Sequence, residues 1–145
     1  VKANLALTFI VNNDFSTRLL LARAEMHEEA QLIVRKFIRA MDSAEASIVG
    51  LMAREREALR SGNGRAAKQI HTRLGNAAKL YLGTVCAARN ALAGMNDLFS
   101  DSEVSEFLEQ RRLTFASLLR IEMAALTAAR LLANDQSPAS VGQVA

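Results

Sequence analysis

The chain has 145 residues, half of them apolar, a formal charge of +3 and no tryptophan. That length supports one well-buried core and is too short for two. The single cysteine, Cys86, excludes a disulfide framework and a cysteine-built zinc site, and points to a reducing, cytoplasmic setting. One proline and seven glycines leave little punctuation for strands, while apolar positions recur at helical spacing through most of the sequence, so the expected class is all-α.

Taken in order, Val1 to Asn13 is apolar and β-branched and reads equally as a short strand, a helical turn or a packing arm. Its apolar run from Leu5 to Val11 is far below the roughly 20 residues that cross a membrane, and with Lys2 alone before it the run makes a poor signal peptide. Asn13 or Asp14 offers an N-cap for a helix over 15–41, carried by Leu19, Ala22, Met26, Ala30, Ile33 and Phe37. Asp42-Ser43-Ala44-Glu45 reads as a capping box, so 43–61 is either a second helix or a straight extension of the first. Ser61-Gly62-Asn63-Gly64 ends it, because two glycines around an asparagine favour left-handed backbone.

A third helix is expected over 65–98. Ala67, Ile70, Leu74, Ala77, Tyr81, Thr84, Ala88, Ala91, Met95 and Leu98 follow one another at steps of three and four, which makes one apolar seam. Ile70, Leu74, Tyr81 and Met95 are expected to be buried. Ser100-Asp101-Ser102-Glu103 is a second capping box and opens a last helix over 101–133, with a broad apolar face that includes Val104, Phe107, Leu108, Phe115, Leu118, Leu119, Leu126 and Leu132. From Asn134 onward the sequence loses periodicity and reads as a flexible tail, 134–145. Residues 1–133 are therefore expected to form one domain, an antiparallel four-helix bundle with long helices.

Charge is unevenly placed. Arg60, Arg65, Lys68, Arg73, Lys79 and Arg89 fall in a stretch with no acidic residue, and Asp97, Asp101, Glu103, Glu106 and Glu109 follow. Without an aromatic or glycine-rich platform the basic stretch reads as a solvated face, not a nucleic-acid site. Gly62-Asn63-Gly64 lacks the spacing and the lysine of a phosphate loop, which argues against direct ATP chemistry. No metal is expected, because Glu25-Met26-His27 has the wrong spacing for a bundle di-metal site and His71 has no acidic residue within ten positions. His27 reads as a surface histidine and Cys86 as a buried, inert thiol. His71 falls about a quarter-turn from the seam centre, with Lys68, Thr72, Gly75 and Lys79 on its solvent side. Gly75, one turn on, removes the side chain that would cover the imidazole.

The run ALRSGNGRAAKQIHTRLGNAA, Ala58 to Ala78, resembles the histidine-phosphotransfer (HPt) domains of bacterial two-component phosphorelays, whose histidine-bearing helix has the form A-H-x-L-K-G-x-A. The family's lysine is Leu74 here and its second glycine is Tyr81. The resemblance implies that His71 accepts a phosphoryl group from a response-regulator receiver domain and that Gly75 gives the receiver access. Lys68, Thr72, Arg73 and Lys79 would belong to the docking surface, with no cofactor of the protein's own. LMAREREALRSGN, Leu51 to Asn63, also resembles the flagellar hook-associated-protein export chaperones, which implies a helical protein that holds a client's amphipathic segment. There the functional surface would be the apolar face of the last helix, Phe115 to Leu132, together with the tail. A helical sensor or dimerisation module without chemistry is the third alternative, and the oligomeric state stays open.

Overall fold

The computed structural model describes residues 15–24 and 27–135, which form four helices: α1 Phe15–Ala24, α2 Glu28–Arg60, α3 Gly64–Ala93 and α4 Asp101–Asp135. No strand occurs among the described residues. The expected arm, 1–13, and all but the first two positions of the expected tail lie outside them.

The connection between α2 and α3 follows from its sequence. Gly62 takes φ +76°, the left-handed conformation that a residue without Cβ adopts without strain. The Asn63 N–H then reaches Ala58 O at 2.9 Å and the Gly62 N–H reaches Leu59 O at 3.2 Å, the paired bonds of a Schellman turn. The Asn63 side chain accepts from the Ala66 N–H at 3.1 Å, so one residue closes a helix and caps the next. Ser100 caps α4 in the same way, accepting from the Glu103 N–H at 3.2 Å.

Two expected boundaries shift, and the choice left open at the first capping box falls to a straight extension. The helix expected over 15–41 is divided, because His27 is extended (φ −137°, ψ 111°) and Glu28 and Glu29 occupy the first turn of α2, where negative charge favours a new helix N-terminus. The division lets Leu20 and Ala24 of α1 enter the same core as Ala30, Val34 and Ile38 of α2. No break occurs at the first capping box. α2 runs straight through it, and Asp42 and Glu45 send their carboxylates to Arg111 of α4 instead of to the backbone. α3 stops at Ala93 and not at 98, since turns over 94–98 are needed to swing Phe99 into the core, where it is almost fully buried.

Side-chain pairs give the directions. Glu45 meets Tyr81 while Glu55 meets His71, so α3 runs antiparallel to α2. Glu45 meets Arg111 while Glu55 meets Arg130, so α4 runs parallel to α2 and antiparallel to α3. α2, 33 residues and about 50 Å long, is the element on which the others lie. α1, 10 residues and about 15 Å long, packs its backbone close to α2 and α4 and not to α3. The bundle is thus four helices thick at one end and three at the other. Each end has its own core: Leu20, Val34, Met41, Leu92, Phe99 and Phe107 in the first, and Ile48, Met52, Phe115 and Leu126 in the second.

Two expectations about α3 are corrected. No position of the seam is exposed, but only Ala67 and Ala88 of it are buried, together with Leu92 beside it. Ile70, Leu74, Tyr81 and Met95 are half-buried, because α2 covers the seam from one side and α4 meets α3 only sparsely. Cys86 is exposed, not buried, since it lies two residues from both Thr84 and Ala88 and so about half a turn from the seam. Among the described residues no helix is long and apolar enough to cross a membrane.

Candidate functional site

The sparse meeting of α3 and α4 leaves a groove between them, closed below by the Tyr81–Phe115 contact in its middle and by Met41, Glu55 and Leu59 of α2 at its ends. On α3 its flank is set one quarter-turn from the seam and carries Lys68, His71, Gly75, Ala78 and Leu82, all exposed. On α4 the facing flank carries Arg112, Ala116 and Met123, also exposed, and then Arg130. The groove widens at both ends. Beside the α2–α3 turn is a cleft of about 910 Å³ lined by Arg65, Lys68 and His71 of α3, Arg130 of α4 and Glu55 of α2. Toward the other end is one of about 390 Å³, with Met41, Leu82, Val85 and Leu108 among its walls.

His71 is built into the first cleft by charge. Glu55 belongs to the buried stripe of α2, and its side chain is 3% exposed. Such a carboxylate is costly to bury unless paired, and Arg130 pairs it bidentately, Nε donating at 2.6 Å and Nη2 at 3.1 Å. His71 Nδ1 stands 3.2 Å from Glu55 Oε1 and 2.9 Å from Arg130 Nη2. A carboxylate only accepts and a guanidinium only donates, so Nδ1 either donates to Glu55 or accepts from Arg130. Both tautomers hold the ring through Nδ1 and leave Nε2 without a hydrogen bond among the described residues. The side chain is 64% exposed.

Burial pushes the Glu55 carboxyl up, but the Arg130 guanidinium and His71 outweigh it and hold the group below its ordinary value of 4.5. A depressed carboxylate contributes stability that is complete above 4.5 and disappears as pH falls through its folded value. Glu55→Gln should therefore flatten the loss of stability between pH 5 and pH 3, measured by urea unfolding at each pH. A variant that loses stability on acidification as steeply as the parent protein contradicts this.

The other end is held by a second buried acid. Glu45 accepts from Arg111 Nε at 2.9 Å and Nη2 at 3.1 Å, and from the Tyr81 hydroxyl at 3.2 Å, while Arg111 also donates to Asp42. Arg111 Nη1 has no hydrogen-bond partner among the described residues. Burial pushes Glu45 up, and the pull of Arg111 does not bring it back to its ordinary value. Burial and the neighbouring Glu45 also push the Tyr81 hydroxyl well up, so it stays a donor. The Tyr81 ring packs on Phe115 at 5.1 Å, tilted by 57°.

Of the residues expected at a site, the structure brings Lys68 and His71 together in the first cleft and sets Gly75 on the groove flank. Thr72, Arg73 and Lys79 are exposed and line neither cleft, and the Thr72 hydroxyl donates to the Lys68 carbonyl of its own helix at 3.2 Å. A Cβ added at Gly75 would meet nothing within 4 Å, so the space over His71 is open. The apolar face expected from Phe115 to Leu132 divides. Phe115 and Leu126 are buried, whereas Leu113, Ile121, Leu131 and Leu132 are exposed, outside both the buried stripe of α4 and its groove flank.

Glu45, Glu55, Arg111 and Arg130 were not among the expected residues. Glu45, Glu55 and Arg111 fall in phase with buried apolar positions, 41-45-48-52-55 on α2 and 104-107-111-115 on α4. Charge at core spacing is the signal that marks them. Among the described residues no group of three His, Cys, Asp or Glu side chains is placed to hold a metal ion. Comparisons with family models, curated proteins and solved structures find no match to this chain.

Proposed function

We propose that the protein is a binding module that holds an amphipathic helix of a partner protein in the groove between α3 and α4. The observation that carries this reading is that α3 and α4 both lie along α2 yet meet only sparsely, which leaves the groove-side Leu82 63% exposed. Gly75, Ala78 and Ala116 on the two flanks are small, and small residues allow a further helix to approach to the usual 8–10 Å between axes. The incoming helix would cover the half-buried seam of α3, the helix-in-groove mode of recognition. This is the kind of action that the resemblance of Leu51 to Asn63 to export chaperones implies.

The test uses a fluorescein-labelled, 21-residue helical peptide with leucines at i, i+3, i+4 and i+7 and Gln or Ser elsewhere, followed by anisotropy. The unmodified protein is expected to bind it. Leu82→Glu should weaken binding by at least about tenfold, roughly 1.4 kcal/mol, because the carboxylate would have to be desolvated under the peptide. Circular dichroism should show the same helicity. Equal affinity of the two proteins would sink the reading.

The exposure of His71 and its fixed Nδ1 favour one alternative, phosphoryl transfer at Nε2. In that reading a phosphorylated receiver domain transfers an acid-labile, base-stable phosphoryl group to the protein, and His71→Gln abolishes the label. Glu55 weighs against it, since a buried carboxylate 3.2 Å from the ring opposes an incoming phosphoryl group except where Arg130 neutralises it.

A further inference from the structure

The two ends of the groove differ in charge, and the difference describes the partner in more detail. In the cleft beside the α2–α3 turn, Arg65, Lys68 and Arg130 stand against Glu55 alone. Both Glu55 oxygens are taken by Arg130, so Arg65 and Lys68 are left uncompensated among the described residues. At the other end the charges balance. Arg111 is tied to Asp42 and Glu45, Arg112 is tied to Glu109, and Arg89 stands at the cleft. What that end offers instead is an apolar hollow of about 390 Å³ between Met41, Leu82, Val85 and Leu108.

Resting on the groove reading, we infer that the partner segment is acidic at the end beside the α2–α3 turn and carries a large apolar anchor at the other. Lys68 and Val85 are 17 positions apart on one helix, or about 26 Å, so the acidic turn and the anchor lie some four to five helical turns apart on the partner. The uncompensated charges select the orientation of the segment and speed its encounter, while the anchor supplies residence time. A segment docked the other way round would set its acidic turn against a balanced, apolar end and its anchor among solvated cations.

The experiment compares three fluorescein-labelled, 22-residue helical peptides that share one leucine and alanine stripe and one phenylalanine near one terminus. At the opposite terminus they carry three Glu, three Gln or three Lys. With the 145-residue chain at low ionic strength, the Glu peptide should bind about tenfold tighter than the Gln peptide, as two or three exposed ion pairs allow, and the Lys peptide should bind weakest. Arg65→Glu with Lys68→Glu, both on exposed positions, should reverse the order. Replacing the peptide phenylalanine by alanine should weaken all three by at least tenfold.

Equal affinities for the Glu and Gln peptides, or an order unchanged by the double substitution, overturn the inference. If Leu82→Glu still weakens all three in that case, the groove reading itself stands. If no peptide binds, or Leu82→Glu changes nothing, the groove reading falls with it. If the peptides bind only to a variant of this chain carrying Leu5→Asp and Ile10→Asp, the occupant is the segment 1–13 and the inference is overturned. A dimer that the Glu peptide cannot dissociate, seen by sedimentation, overturns it in favour of a second copy.

Discussion

Arg111→Met is expected to destabilise the protein by about 3–5 kcal/mol, the range seen when one member of a buried ion pair is removed. Glu45 is fully buried, and among the described residues its only hydrogen-bond partner besides Arg111 is the Tyr81 hydroxyl. The loss should depend on pH. A buried acid pushed above its ordinary value favours the protonated form in the folded state, so its presence destabilises progressively as pH rises from 4.5 through the folded value. The penalty of Arg111→Met should therefore shrink on acidification toward pH 4, where Glu45 is neutral. Adding Glu45→Leu should restore most of the stability at neutral pH, because two apolar side chains leave no stranded charge in the core. Urea unfolding of the two single variants and the double variant gives the coupling directly. Additive losses would mean that the pair is not the unit described here.

Phe107→Ala is the second large effect, with a loss of about 3–5 kcal/mol expected from the cavity that it leaves. Phe107 is 1% exposed in the core where α1, α2, α3 and α4 all contribute. Leu82→Ala removes a side chain of comparable hydrophobicity from the groove flank and should stay within about 0.5 kcal/mol of the parent. The thermal midpoints of the two variants should therefore separate by well over 10 °C, taking about 4 °C per kcal/mol for a chain of this size. Similar midpoints would place Leu82 under cover in the free protein and remove the open groove.

Much of this architecture can be read from periodicity. The seam from Ala67 to Leu98 has the correct phase, and Ser100 and Asn63 cap the helices where side-chain chemistry puts them. What periodicity misses is how many neighbours a seam receives. Ile70 and Tyr81 have the spacing of core residues, and only the separation of α4 from α3 leaves them half-covered. Asp42 and Glu45 mimic a capping box because local sequence contains no sign of Arg111, 66 residues beyond Glu45. For the same reason His71 looked isolated from acids. Glu55 lies 16 positions before it and reaches it only when the α2–α3 turn folds the helices together. Cys86 is near the seam in sequence only: it lies two residues from both Thr84 and Ala88, and that phase turns it to the far face of α3.

The central claim is that the groove between α3 and α4, and not the outer face of α4, receives a partner helix. Methyl NMR on the protein with labelled Leu, Ile and Met side chains, titrated with the Glu-ended peptide, tests it most directly. The two candidate surfaces carry different methyl groups: Leu82 and Met123 on the groove, and Leu113, Ile121, Leu131 and Leu132 on the outer face. The predicted result is shifts at Leu82 and Met123 that saturate with peptide, with Leu113, Ile121, Leu131 and Leu132 unmoved. Shifts confined to Ile121, Leu131 and Leu132, with Leu82 and Met123 unmoved, would contradict it.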